Sequence, residues 1–236
     1  MNQMAAWQSP IGTIMQVLPK IGSVLRNLRP TWHLRSLDLL DADFVANHRI
    51  KALIWDVDGT ITKFHDTTVA DDARAFRTLT TIPGLQHAIL SNAGEDRFRE
   101  LGTIFPEIPV MKGYWWKDAV ALREILHGED SWSAEQVVER TAAGAMPLRK
   151  PHGGLVRAVT HHLGLALPDV VMIGDQYFTD IAGANLAGVR SLKLPAIGPE
   201  TLPQSIRMGQ VVERLVYRLL HGAPVWDRPR AGPTAR

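Results

Sequence analysis

Apolar and polar positions along this chain fall into blocks whose period switches between two and 3.6. "KALIWDV" (Lys51 to Val57) reads as a buried strand, and "VADDARAFRTLTTI" (Val69 to Ile82) has helical period and stops at Pro83 and Gly84. "HAILS" (His87 to Ser91) is a second strand, followed by a helix around Glu95 to Gly102 and a short strand near Ile108 to Met111. A longer helical stretch comes next, then a helix over "GLVRAVTHHLG" (Gly154 to Gly164) and a strand over "DVVMIGD" (Asp169 to Asp175). "TDIAGANLAG" (Thr179 to Gly188) is a helix closed by glycine, and "VRSLKL" (Val189 to Leu194) is a last strand. Strand and helix in alternation predict crossover units and an α/β fold with a doubly wound, mostly parallel sheet.

Amphipathic segments flank this core. Ile11, Ile14, Met15, Leu18, Ile21, Leu25 and Leu28 recur at mostly helical spacing among Lys20, Arg26, Arg29 and Arg35, with an interruption at Pro19. Near the other end, Ile206, Val211, Val212, Leu215, Leu219 and Leu220 form a stripe beside Arg207, Arg214 and Arg218, closed at Gly222. For both, packing of the apolar face on the core competes with binding to a membrane surface. The expected organisation is an N-terminal lead-in (1–48), a catalytic domain (49–200) with a small helical insertion at about 113–146, and a C-terminal amphipathic helix with a basic tail (201–236).

Composition narrows the function. With 236 residues, 45% of them hydrophobic and 21% charged, the chain can bury one sizeable core. It has no cysteine, which excludes disulfides, thiolate metal sites and cysteine nucleophiles. A formal charge of +2 is too mild to argue for a nucleic-acid partner. No run reaches the roughly 18 to 20 apolar residues of a membrane span, and the start lacks the pattern of a secretory signal, so a cytoplasmic location is expected, with peripheral contact on the inner face of the membrane.

The chemistry sits where strands end. In such a sheet, ligands bind beyond the carboxyl ends of the strands, at the point where the strand order reverses. Asp56 and Asp58 follow the first strand, Ser91 and Asn92 the second, and Asp175 the strand that begins at Asp169, with Asp180 just beyond and Lys150 ahead of the preceding helix. Clustered carboxylates repel and call for a cation. With oxygen ligands only, a hard ion such as Mg2+ is indicated. A carboxylate is also a nucleophile toward phosphorus, forming an acyl phosphate that water then opens.

"DVDGT", "LSN", "RKP" and "GDQYFTD", in that order, resemble the four motifs of the haloacid dehalogenase (HAD) superfamily of phosphohydrolases. The resemblance spans Lys51 to about Pro195 and implies a Rossmannoid sheet. It implies Asp56 as nucleophile and metal ligand, and Asp58 as acid and base with its carbonyl on the metal. Asp175 would complete the metal site, and Lys150 would neutralise nucleophile and phosphate. Ser91, the amide of Asn92 and Gly59 would join Lys150 in holding phosphate oxygens, while Thr60 and Asp180 support the site from behind. The lead-in "RPTWHLRSLDLLDADFVANHRIKALIWDVDGT" and "GDQYFTDIAGANLAGVRSLKL" are similar to the mitochondrial-type phosphatidylglycerophosphatase family. That likeness implies a lipid monoester with an anionic head group as substrate, and gives basic amphipathic ends a purpose at the bilayer surface.

Two departures bear on this. Gly59 stands where that family usually has asparagine, and the stretch from Gly113 to Met146 is longer than the family's link. The latter is expected to be a helical lid, whose Trp115, Trp116 and Trp132 either meet an apolar substrate or pack the insert onto the domain. His161 and His162 are adjacent on a helix and make no metal pair. "HGG" after Pro151 is expected to turn the chain from Lys150 into its helix, with assistance to a phosphate from its amides as the alternative. A phosphatase of soluble sugar or nucleotide phosphates, and a non-catalytic membrane-surface protein, are the alternatives.

Overall fold

A computed structural model describes residues 21–226. Nine strands form one sheet: β1 (Trp32–His33), β2 (Ala52–Trp55), β3 (Gln86–Leu90), β4 (Val110–Trp116), β5 (Ala119–Leu126), β6 (Glu129–Asp130), β7 (Met146–Leu148), β8 (Val170–Gly174) and β9 (Arg190–Lys193). Their order is β1-β9-β8-β2-β3-β4-β5-β6, with β7 also paired to β4. From β1 to β4 the strands run parallel, and β5, β6 and β7 are antiparallel to their neighbours. The chain leaves β2 toward β3 and β4 on one side, then returns to β8 and β9 on the other. The reversal of order therefore falls between β2 and β8.

The central strands are apolar on both faces, as a sheet covered by helices on each side demands. Leu53, Trp55, Ile89, Val171 and Ile173 face one core with Val45 of helix α2 (Ala42–Asn47) and Phe76, Leu79, Phe98 and Leu101 of α3 (Arg74–Leu79) and α4 (Glu95–Ile104). Their alternates Ala52, Ile54, Ala88, Leu90, Val170 and Met172 face a second core with Leu155, Val156 and Val159 of α6 (Gly153–His162) and Ala184 and Ala187 of α7 (Ala182–Ala187). Each fully buried aliphatic side chain contributes about 1.5–3 kcal/mol. Gly188 ends α7 at φ +80°, the left-handed conformation that glycine adopts without a steric penalty.

The expected helical insertion is corrected. Residues 113–130 extend the sheet: β4 turns through Lys117 and Asp118 into β5, with Trp116 paired to Ala119, and β5 pairs with β6. Both turn residues have positive φ, 50° and 58°, as a tight two-residue hairpin turn requires. One helix remains, α5 (Ala134–Ala142), opened by a capping box between Ser133 and Gln136. "AVALREIL" carries good helix formers, but pairing with β4 overrides that preference. Arg123 pins the hairpin: fully buried, it bonds Asp130 at 2.5 Å and Glu95 of α4 at 2.7 Å, across the face of Phe98. Trp132 is buried against Tyr114 and Arg140, and Arg140 also lies over Trp116, so these two tryptophans pack the insert.

The two amphipathic segments behave differently. In α1 (Ile21–Arg26) and beyond, Val24 and Leu28 are buried against Tyr177, Ile181 and Tyr217, while the stripe expected over Ile11 to Lys20 lies outside the described residues. The last helix, α8 (Gln204–His221), buries Gln210, Glu213 and Tyr217 and leaves Val211, Val212, Leu215, Leu219 and Leu220 exposed. Its apolar stripe does not pack on the core. At about 100° per residue the outward apolar face lies opposite the inward polar one.

Candidate active site

Three parallel strands deliver the acidic groups. In the sheet, Trp55 is level with Ile89 of β3 and Ile173 of β8, so the residues that follow each strand emerge together at one edge. Asp56 follows β2 directly and is tied to β8 through its amide, which donates to the Ile173 carbonyl. Asp175 follows β8, and Asp180 stands in the single helical turn over Tyr177–Ile181 that leads into α7. All three are buried, and one carboxylate oxygen from each lies within 4.8 Å of the others.

Lys150 bridges two of them. Its buried ammonium lies 2.5 Å from Asp56 Oδ1 and 2.7 Å from Asp180 Oδ1. Burial works against its charge, but Asp180 and Asp56 outweigh that and hold the ammonium above its usual range. Asn92 places this lysine: its side chain donates to the Lys150 carbonyl at 3.0 Å and accepts from the Lys150 amide at 2.8 Å. Thr60 Oγ1 approaches Asp56 Oδ2 at 3.4 Å. Ser91 stands between Leu90 of β3 and Asn92, at the same edge of the sheet.

Burial pushes the Asp56 carboxyl up to about 7, against the pull of Lys150. Burial and the neighbouring Asp180 and Asp56 raise Asp175 well above the usual carboxylate range. Asp175 Oδ1 is buried with no hydrogen-bond partner. A bare carboxylate oxygen, hard donors and uncompensated negative charge fit a divalent cation such as Mg2+. Asp180 is already committed on both oxygens, Oδ1 to Lys150 and Oδ2 to the Gln176 amide, and so acts by orienting Lys150.

Gly59 plays a different part from the phosphate contact expected of it. Its N–H donates to the Thr62 carbonyl and its own carbonyl accepts from Ile197, so neither is directed at a ligand. Its φ is +90°, and a Cβ there would stand 2.9 Å from Asp175 Oδ2. Glycine is required because the loop turns in the left-handed region while touching a carboxylate. Gly153 of the "HGG" run serves packing too, since a Cβ there would meet the α7 backbone at 2.6 Å.

Five contributors escaped the sequence reading. Arg97 of α4, buried, donates to Asp58 Oδ1 at 2.8 Å and to the Asp66 carbonyl at 2.8 Å. The amide of His65 donates to the same Asp58 oxygen at 2.9 Å. Gln210 of α8 donates to Asp175 Oδ2 at 2.7 Å, and Glu213 accepts from the Tyr177 amide at 2.8 Å. Burial pushes Glu213 up to about 7. Lys193, level with Gly174 in the sheet, is buried behind Asp175 and lies over the Tyr177 ring. Arg97 carries no spacing signal; Gln210, Glu213 and Tyr217 form a polar stripe visible in sequence once the helix is turned over.

Comparison with known proteins adds a partial match. Residues 147–194 match a family model described as HAD-hydrolase-like. A comparison with curated proteins finds no match. Among solved structures, an uncharacterized protein from Listeria monocytogenes serotype 4b is 18% identical, with a TM-score of 0.41, over 65% of this chain and 85% of that one. The stretch matched by the family model contains Lys150, Asp175 and Asp180 and supports a HAD-like hydrolase.

Proposed function

We propose that this protein is a Mg2+-dependent phosphomonoester hydrolase that works through an aspartyl phosphate and acts on phosphatidylglycerophosphate at the inner face of the membrane. The observation that carries the hydrolase reading is Asp56, a buried carboxylate held by Lys150 beside the bare oxygen of Asp175. A bound Mg2+ supplies positive charge that offsets the carboxylates and the phosphate.

Phosphoryl transfer depends on in-line positioning and on neutralising charge at the equatorial oxygens. Lys150, the Ser91 hydroxyl and the Asn92 amide bind those oxygens. Asp56 attacks phosphorus, so that its oxygen–phosphorus bond forms as the bond to the substrate alkoxide breaks. Asp58, held through Oδ1 by Arg97 and His65, gives its proton to the departing alkoxide. The ionised Asp58 then takes a proton from water, whose oxygen attacks phosphorus. Cleavage of the bond to Asp56 releases inorganic phosphate and restores the enzyme.

The lipid part of the reading is supported by α8. Among the described residues no helix is long and apolar enough to cross a membrane. Yet Met208, Val211, Val212, Leu215 and Leu219 are exposed along one face, bordered by the exposed Arg207, Arg214 and Arg218. An apolar face edged by arginines complements an anionic bilayer, each arginine contributing about 1 kcal/mol near such a surface. The test is phosphate release with Mg2+ from phosphatidylglycerophosphate in mixed micelles and from soluble sugar and nucleotide phosphates. Lipid turnover that is faster, and absent in Asp56→Asn, supports the reading. Equal rates on both classes remove the lipid assignment, and unchanged activity in Asp56→Asn removes the mechanism.

A further inference from the structure

The inward face of α8 is its polar one. A helix held by ordinary hydrophobic burial presents its leucines to the core, whereas α8 presents Gln210, Glu213 and Tyr217. Burying an amide and a carboxylate is costly unless each finds a partner, so their partners disclose what the face does. Gln210 grips Asp175, and Glu213 grips the amide of Tyr177 two residues later. The helix thus clasps the β8 loop on both sides of Gln176, whose own amide is held by Asp180.

At Asp175 the two oxygens are treated differently. Oδ2 accepts the Gln210 amide and abuts the Gly59 backbone, while Oδ1 is buried and bare. A neutral amide is the suitable donor here. It satisfies one lone pair and fixes the carboxylate's rotation without cancelling the charge a cation needs, as a lysine or arginine in its place would.

We infer that Gln210 is a positioning residue for the divalent-cation site, which makes α8 part of the catalytic unit rather than an appendage. The inference rests on the Mg2+-dependent phosphatase reading. Partners that orient a metal ligand from behind typically contribute ten- to hundredfold in metal affinity.

The experiment measures Mn2+ binding by electron paramagnetic resonance, and Mg2+ binding by calorimetry, on full-length wild type, Gln210→Leu and Gln210→Met. The metal-free unfolding temperature of each is recorded alongside. Methionine keeps the length and flexibility of the side chain if leucine packs badly. The expected result is binding about tenfold to a hundredfold weaker in the variants, with kcat recovering at saturating Mg2+ and the loss confined to the metal activation constant. Wild-type affinity in either folded variant overturns the inference, and so does failure of both to fold, which assigns Gln210 to the fold alone. A wild type that binds neither ion overturns the phosphatase reading itself, an outcome distinct from the other two.

Discussion

Arg97 Nη2 lies 2.8 Å from Asp58 Oδ1, and the same guanidinium reaches Glu100 and the Asp66 carbonyl. One buried arginine therefore ties Asp58, the acid and base of the proposed mechanism, to α4 and to the loop at Asp66. Both side-chain hydrogen bonds of Asp58 fall on Oδ1, from Arg97 and from the His65 amide.

Replacing Arg97 with methionine is expected to lower kcat about a hundredfold on an alkyl phosphate, since misplacing a catalytic group by an ångström costs that order. On p-nitrophenyl phosphate, whose leaving group departs without protonation, the loss should be much smaller. Steady-state kinetics with both esters checks it; equal losses would mean that Arg97 serves only the fold.

Lys150→Met leaves Asp56 and Asp180 facing each other without their shared cation. Breaking a buried ion pair from one side typically costs about 3–5 kcal/mol. Urea unfolding should show a loss of that order at pH 8 and a smaller one near pH 5.5, where Asp56, held up to about 7 by burial, takes up a proton and neutralises.

Cation binding should depend on pH with a definite sign. Burial holds the Asp56 carboxyl up to about 7 and Asp175 above the usual range, so below pH 7 the metal-free protein retains protons that a cation must displace. Asp56, Asp175 and Glu213 therefore make the metal-free protein less stable as pH rises from about 4 toward 7. His33 and His87, held down to about 4 chiefly by burial, act the other way over the same range. They cancel in the increment of unfolding temperature produced by Mg2+. That increment is expected to grow as pH rises through 7, and a flat profile would contradict the assignment of Asp56 to the cation site.

Gly59→Ala adds a Cβ 2.9 Å from Asp175 Oδ2 at a φ of +90°. A strained backbone of this kind costs about 1–3 kcal/mol. The variant should lose Mg2+ affinity as well as stability, measured by titration and by thermal unfolding, because the carboxylate is the atom that must move.

On α8, Leu215→Asp with Leu219→Asp places charges on the exposed apolar face. Binding to vesicles containing anionic lipid should fall at least tenfold by co-sedimentation, while Mg2+-dependent turnover of a soluble ester stays near wild type. Unchanged vesicle binding would remove this face from the membrane contact.

Much of the arrangement is legible in the linear chain. The central strands are so apolar that both of their faces must be covered, and β2, β3 and β8 announce themselves in "ALIW", "HAIL" and "VVMIG". Acidic and hydroxyl residues immediately after such strands have one place to go in a parallel sheet, so the meeting of Asp56 and Asp175 follows from topology. These are local properties: hydrophobic period and the residues that interrupt it belong to consecutive positions.

Other features depend on pairing between distant segments. "AVALREIL" has the composition of a helix and becomes a strand because β4 offers it an edge, and a Lys-Asp turn announces no hairpin. The stripe on α8 is plain in sequence, but periodicity gives two faces and no direction. Tertiary contact chose the polar one, since Gln210 and Glu213 find partners only on the loop after β8. Arg97, likewise, meets Asp58 across 39 residues of chain, a distance over which spacing carries no information.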